Sequence, residues 1–326
     1  MSAYAALMAR LAPVRALPDG ALLTEPVGPH FHVITKQESA LRFWLVEQTN
    51  PTTGVIQSEI DLDEPLALQE AYTQAMLLAL LWQPVPQRVY VAGLGGGRLP
   101  LLLHHYCATT VLDCTEIEPE IVQIAERYFG LQQDERLRVA IEDGRRWLER
   151  NDTLYDLILV DAFLDNGYSP YRMSTVEFYR LCQERLTPGG ALSINLLAND
   201  PFIERKVQGL TTVFTGVWLA PTRPVDGDEN VIAIASDRAD LDRDALTALA
   251  QQVDALYGFP FALAGYVSLM TRLQPAALSP LRDDEPPEEY FASLPSFNSP
   301  FSRVAPDRPC PCGSGQRFAN CHGLNA

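Results

Sequence analysis

At 326 residues, 47% hydrophobic and 20% charged, the chain can bury a sizeable core in two or more folding units and has an ordinary globular balance. Its net charge of −16 repels phosphate backbones and anionic bilayers, which argues against nucleic acid and membrane surfaces as main partners and favours a cationic substrate. Lys36 and Lys206 are the only lysines among 25 basic residues, so lysine-based covalent chemistry is disfavoured.

Residues 1–20 read as an N-terminal helix and not as a signal peptide, because Arg10 and Arg15 interrupt the apolar residues. No apolar stretch is long enough to span a bilayer. Cys107, Cys114 and Cys182 are scattered and read as reduced core thiols, which points to the cytoplasm. Within residues 21–82, FHVITK, ALRFWLVE and GVIQSEID are β-rich runs separated by turn residues, which predicts a small antiparallel domain. Leu66 to Trp82 then has helical spacing, ended by Pro84 and Pro86.

From VYVAG onward, strand-like and helix-like runs alternate through TVLDCTEI, EIVQIAERYF, RVAIED, YDLILVDAF, STVEFYRLCQERL and GALSINLL. Such alternation predicts an α/β, Rossmann-like domain over residues 83–276, with a mainly parallel sheet and helices on both faces. Val213 to Leu219 and Val231 to Ser236 are the expected last strands, and Asp240 to Leu256 the following helix. Residues 277–307 are rich in Pro, Ser and acids and read as an extended linker, leaving 308–326 as a separate module.

The glycine loop Gly93-Leu94-Gly95-Gly96-Gly97 lies between a strand and a helix, where free backbone N–H groups face a crevice that suits a nucleoside. A dinucleotide fingerprint wants a third glycine at position 98, where this chain has Arg98, so NAD is disfavoured. Glu116 ends the second strand, where a carboxylate can accept both ribose hydroxyls, and Glu118 is its reserve; a solvated charge is the alternative. Asp143-Gly144 follows the third strand, where Asp143 can accept the adenine amino group or simply make a turn. Asp161 closes the apolar strand YDLILVD at its carboxyl end, where it can orient an attacking amine and accept its proton; the alternative is a turn cap. Asp165 is near enough in the loop to assist.

Taken in order, VAGLGGG, TEIEPEIV, EDGRRWL, YDLILVDAF and STVEFYRLCQERLTPGG resemble the spermidine synthase family, the polyamine aminopropyltransferases, over about residues 30–236. The resemblance implies a class I S-adenosylmethionine-dependent fold with a small N-terminal β domain, Glu116 on the ribose, Asp143 on adenine and Asp161 as the catalytic acid. Its departures are specific. The family loop reads GGGDGG, and its Asp binds the amine of decarboxylated S-adenosylmethionine, whereas this chain has Gly96 there and Arg98 two residues on. Arg98 suits a carboxylate-bearing ligand, hence intact S-adenosylmethionine; a solvated first-turn residue is the alternative. The family's D-x-x-D-P becomes Asp161 with Asp165 one position late and no proline, and Glu70-Ala71-Tyr72 only loosely resembles the Tyr-x-Glu segment that contacts the amine.

Cys310, Cys312, Cys321 and His322 have a spacing that a short loop and helix can close around one tetrahedral zinc ion. They resemble the SEC-C motif of the protein translocation ATPase tail, whose four matching positions bind zinc, and Arg308 and Arg317 make this module locally basic, as a protein-docking element would be. His104 and His105 are adjacent on a helix, point apart and are not expected to share a metal. The expected function is an aminopropyl or methyl transferase using S-adenosylmethionine or its decarboxylated form on a small amine acceptor, with room for a homodimer. The alternative is a catalytically idle nucleoside-binding scaffold docked to a protein through the zinc module.

Overall fold

The computed structural model describes residues 3–164, 169–222, 230–238, 240–285, 290, 297–298, 305, 308 and 317. The chain divides into two compact units, one spanning Met1–Pro65, Arg127–Gly130 and Pro295–Ala326, the other Leu66–Glu126 and Leu131–Leu294.

In the first unit, helix α1 (Ala3–Arg15) buries Leu7, Leu11 and Val14. Strands β1 (Gly20–Val27), β2 (His30–Gln37), β3 (Ala40–Glu47) and β4 (Thr53–Asp61) follow as an antiparallel sheet in chain order, and Phe297–Asn298 pairs with β4. The three expected β-rich runs are β2 to β4, where Phe31, Val33, Leu41, Phe43 and Ile60 are buried. Strand β1 has no buried residue and contains Pro26, so its pattern carries no alternation. A half-solvated edge is where a proline is tolerated.

The second unit begins with α2 (Ala71–Met76), continued as a 3-10 turn over Leu77–Leu81. Ala75 to Trp82 are buried with Val89, Val91 and Leu99, so the expected connecting helix belongs to the second core and the division falls at Pro65, not at residue 82. Its framework is β5 (Arg88–Ala92), α3 (Arg98–Tyr106), β6 (Val111–Glu116), α4 (Pro119–Tyr128), β7 (Leu137–Ile141), α5 (Gly144–Arg150), β8 (Tyr155–Val160), α6 (Val176–Glu184) and β9 (Leu186–Leu197). Then come α7 (Ile203–Val213), β10 (Gly216–Pro221), β11 (Asn230–Ser236), α8 (Arg243–Tyr257), α9 (Ala264–Val267) and β12 (Thr271–Arg272). The sheet order is β12-β10-β11-β9-β8-β5-β6-β7, parallel from β9 to β7 and antiparallel from β9 to β12. This is a Rossmann-like methyltransferase fold. Strands β5 and β8 are central and apolar on both faces, as buried parallel strands are.

Two readings change. Helix α7, rich in β-branched residues and carrying Gly209, replaces the start of the strand expected at Val213, and β10 begins at Gly216. The acidic stretch after residue 277 is packed in part: Leu281 and Tyr290 are fully buried, and Asp283 is bound by Arg145. Cys107, Cys114 and Cys182 are buried free thiols. No helix among the described residues is long and apolar enough to cross a membrane.

Candidate active site

The glycine turn is shaped by contact with the next strand over. A Cβ on Gly93 (φ +88°) would lie 2.1 Å from the Asp161 carbonyl oxygen, so only glycine lets the end of β5 pass this close to the end of β8. The Gly93 N–H donates to Thr115 O at 3.0 Å and the Asp161 N–H to Ala92 O at 2.8 Å, which extends the parallel ladder on both sides of β5. Gly97 (φ +68°) then turns the chain into α3. The ends of β5, β6 and β8 are thereby fixed side by side at the carboxyl end of the sheet, where open α/β sheets bind ligands.

Glu116 is 8% exposed, so it is not a solvated charge at a strand end. Its Oε1 accepts the N–H groups of Ile117 (2.7 Å) and Glu118 (3.1 Å), and Oε2 accepts Leu94 N–H from the glycine turn at 3.1 Å. Burial raises its pKa, while the three backbone donors pull the other way and hold the carboxylate in one place. Ile117 beside it is exposed, and Glu118 is half-buried. Asp143 is the N-cap of α5, Oδ1 accepting Arg146 N–H at 2.9 Å, and Gly144 is pinned by the Tyr90 hydroxyl, which donates to its carbonyl at 2.9 Å.

Among the described residues, the Asp161 carboxyl is bound by side chains of other elements. Asn195 Nδ2, from β9, donates to its Oδ1 at 2.9 Å, and Asn230 Nδ2, from β11, donates to Asn195 Oδ1 at 2.9 Å. The Tyr72 hydroxyl of α2 also hydrogen-bonds the Asp161 carboxyl. Burial pushes Asp161 up to about 6, with the Asn195 and Tyr72 bonds opposing it. The same burial raises the Tyr72 phenol well above its ordinary range. A carboxylate so poised is charged near neutrality yet basic enough to take a proton from an attacking amine.

Arg98 is 6% exposed and therefore not a solvated first-turn residue; its Nη2 donates to Ala67 O at 3.2 Å. Burial lowers it to about 10. Asp165 and the cluster Cys310, Cys312, Cys321 and His322 lie outside the described residues. His104 pairs with Asp134 at 2.9 Å.

Asn195 and Asn230 are additions to the sequence reading, in which Tyr72 appears only within a segment loosely similar to the family's amine-contacting one. The signal for Asn195 was a polar residue inside the apolar run ALSINLL, and for Tyr72 its place in the segment Glu70-Ala71-Tyr72.

Comparison with known proteins bears on this geometry. The profile of the spermine/spermidine synthase domain matches residues 70–211, and that of the SEC-C motif residues 309–324. A polyamine aminopropyltransferase of Vibrio vulnificus is 32% identical over 208 residues, covering 61% of this chain and 67% of its own. The chain belongs to the spermine/spermidine synthase family. As a family member it is an S-adenosylmethionine-type transferase. Among solved structures, human methyltransferase-like protein 13 in complex with SAH shares 25% identity with a TM-score of 0.54, covering 59% of this chain and 95% of that one. A probable spermidine synthase from Corynebacterium glutamicum shares the fold, with a TM-score of 0.63 at 16% identity over 86% of this chain and all of that one.

Proposed function

We propose that this family member alkylates an amine with a sulfonium nucleoside, and that the group transferred is the methyl of intact S-adenosylmethionine. The residues present fit such a nucleoside. Gly93 and Gly97 leave backbone close to the crevice, the Glu116 carboxylate is fixed beside the turn for the ribose with Glu118 in reserve, and exposed Ile117 offers an apolar surface to a base. Asp143 uses one oxygen on its helix and keeps the other for the adenine amino group. Bound there, the sulfonium supplies an electrophilic carbon. Asp161, with Asp165 as its assistant, seats the amine: the nitrogen lone pair forms the new N–C bond, the C–S bond pair returns to sulfur, and the proton lost by nitrogen passes to the Asp161 carboxylate.

The observation that carries the methyl assignment is Gly96. The family places there an acid that neutralises the amine of the decarboxylated nucleoside, and glycine offers no charge. Aminopropyl transfer is the second reading, favoured by the 32% identity to a polyamine aminopropyltransferase. Incubation with each nucleoside and a pool of amines decides between them: S-adenosylhomocysteine as product means methylation, and methylthioadenosine means aminopropylation. Neither product from either nucleoside refutes both.

We infer also that Cys310, Cys312, Cys321 and His322 hold zinc, since three thiolates and an imidazole are a donor set that suits Zn²⁺. The basic module around them, with Arg308 and Arg317, would dock this acidic chain to a protein partner in the cytoplasm.

A further inference from the structure

Past β12 the chain returns to the transferase unit. The Leu281 carbonyl accepts Val176 N–H at 3.0 Å, and the Arg282 carbonyl accepts the Tyr171 hydroxyl at 2.5 Å. Asp283 receives two bonds from Arg145 of α5, at 2.7 and 2.5 Å, and a third at 2.8 Å from the hydroxyl of Thr175, the N-cap of α6. Tyr290 is fully buried: its hydroxyl donates to Ser169 O at 2.6 Å, its ring lies against Tyr171 and Phe202, and the Lys206 ammonium sits 5.0 Å over its face. Lys206, also fully buried, is held by Asp200 Oδ2 at 2.5 Å.

These contacts fall on three connections at the carboxyl end of the parallel strands: Arg145 after β7, Ser169 to Thr175 after β8, and Asp200 and Phe202 after β9. The middle connection is the one that starts with Asp161, and its return limb, residues 169–175, takes distant fixed points from Leu281, Arg282, Asp283 and Tyr290. The buried pair Lys206–Asp200 adds little net stability over an apolar contact of the same volume, because desolvation offsets the attraction, and the partly exposed pair Arg145–Asp283 adds little because water screens it. What they supply is one permitted arrangement. The nucleoside side of the site needs no such help, since Glu116 is held by backbone donors and the turn before α5 by the cap of Asp143.

We infer that residues 281–283 and Tyr290 form a clasp that holds the return limb of the β8–α6 connection in register for the acceptor, with Asp283 and Tyr290 as positioning residues for the transfer. The inference rests on the assignment of the acceptor to Asp161.

The test uses the full chain with Asp283→Asn and Tyr290→Phe, the latter keeping the buried ring while removing its hydroxyl. The acceptor KM is expected to rise at least fivefold in each, with the Kd for S-adenosylmethionine within twofold of the parent and faster amide hydrogen exchange at residues 169–175. An acceptor KM within twofold of the parent in both variants, or a nucleoside Kd that rises in step with it, overturns the clasp. Asp161→Asn, run alongside, separates the two readings: full activity in it refutes the acceptor assignment, and unchanged exchange at 169–175 in the clasp variants then refutes the clasp by itself. Asp283→Asn exchanges one carboxylate for an amide and Tyr290→Phe removes one hydroxyl, so circular dichroism checks that each variant is folded before it is counted.

Discussion

Replacing Gly93 by Ala should disable the enzyme through one methyl group. The added Cβ would stand 2.1 Å from the Asp161 carbonyl oxygen and 2.7 Å from its carbon, where real Cβ contacts do not fall below 3.0 Å, so β5 and β8 must separate by about 0.9 Å at their carboxyl ends. That motion works against the Asp161 N–H to Ala92 O bond and carries the Asp161 side chain away from Asn195. Forcing a methyl into a packed site costs about 1–3 kcal/mol, and the left-handed φ of +88° adds about 1–2 kcal/mol. The midpoint total is about 3.5 kcal/mol, which in a unit of this size lowers Tm by about 7–14 °C. A misplacement approaching 1 Å at a reacting group also costs on the order of 100-fold in kcat. Gly258→Ala is the control: Gly258 caps α8 at φ +62° with nothing within 4 Å of its Cβ position, so that variant bears only the cost of the backbone conformation, about 1–2 kcal/mol, and keeps its rate. Thermal unfolding by circular dichroism and single-turnover kinetics measure both. If Gly93→Ala melts no lower than Gly258→Ala and its rate stays within threefold of the parent, the ends of β5 and β8 are not held in contact as described.

Asp161→Asn should abolish transfer while leaving S-adenosylmethionine affinity within about tenfold, as titration calorimetry beside a discontinuous product assay would show. With the Asp161 carboxyl raised to about 6, kcat/KM should fall as pH drops through about 6, because the protonated acid cannot take the amine's proton; a flat profile from pH 5 to 8 counts against the carboxylate as base. Asn195→Ala removes a donor to that carboxylate, which favours the neutral form, so the acid limb should move up by about one pH unit; a downward move contradicts the bond. Cys310→Ser should remove stoichiometric zinc from the purified chain by elemental analysis while nucleoside Kd stays within twofold, and full zinc retention would clear Cys310 of a ligand role.

The parts legible in the sequence share a physical cause. Buried parallel strands must be apolar on both faces, so VYVAG and YDLILV stand out, and the residues at their ends mark the carboxyl edge of the sheet; Gly93 and Asp161 were readable for that reason. The partners of Asp161 were not, because Tyr72 and Asn195 reach it from α2 and β9 and Asn230 of β11 holds Asn195, a convergence no local pattern encodes. Arg98 shows the same limit from the other side. A first-turn arginine can be read as a carboxylate partner or as solvated, and its burial against the Ala67 segment is encoded by no local pattern. The stretch after residue 277 has a linker's composition, yet Asp283 and Tyr290 pack because their partners, Arg145 and Ser169, wait on distant elements.

On the proposed function, the same turn should also set which nucleoside is preferred. Gly97 opens α3, whose first N–H groups carry a partial positive charge at the crevice, and position 96 supplies no acid to offset it. A lone ammonium, as on the decarboxylated nucleoside, meets repulsion there, whereas the amino-acid end of intact S-adenosylmethionine brings a carboxylate that the helix N-terminus favours. Both forms carry the ammonium, so the carboxylate is the difference between them, worth about 0.3–1 kcal/mol, or about 2- to 5-fold in affinity. Intact S-adenosylmethionine should bind tighter by that factor in calorimetry at low salt, and Gly96→Asp should narrow or reverse the preference. Tighter binding of the decarboxylated form by the parent chain would show that the loop seats an ammonium without the acid at position 96, and would return the assignment to aminopropyl transfer.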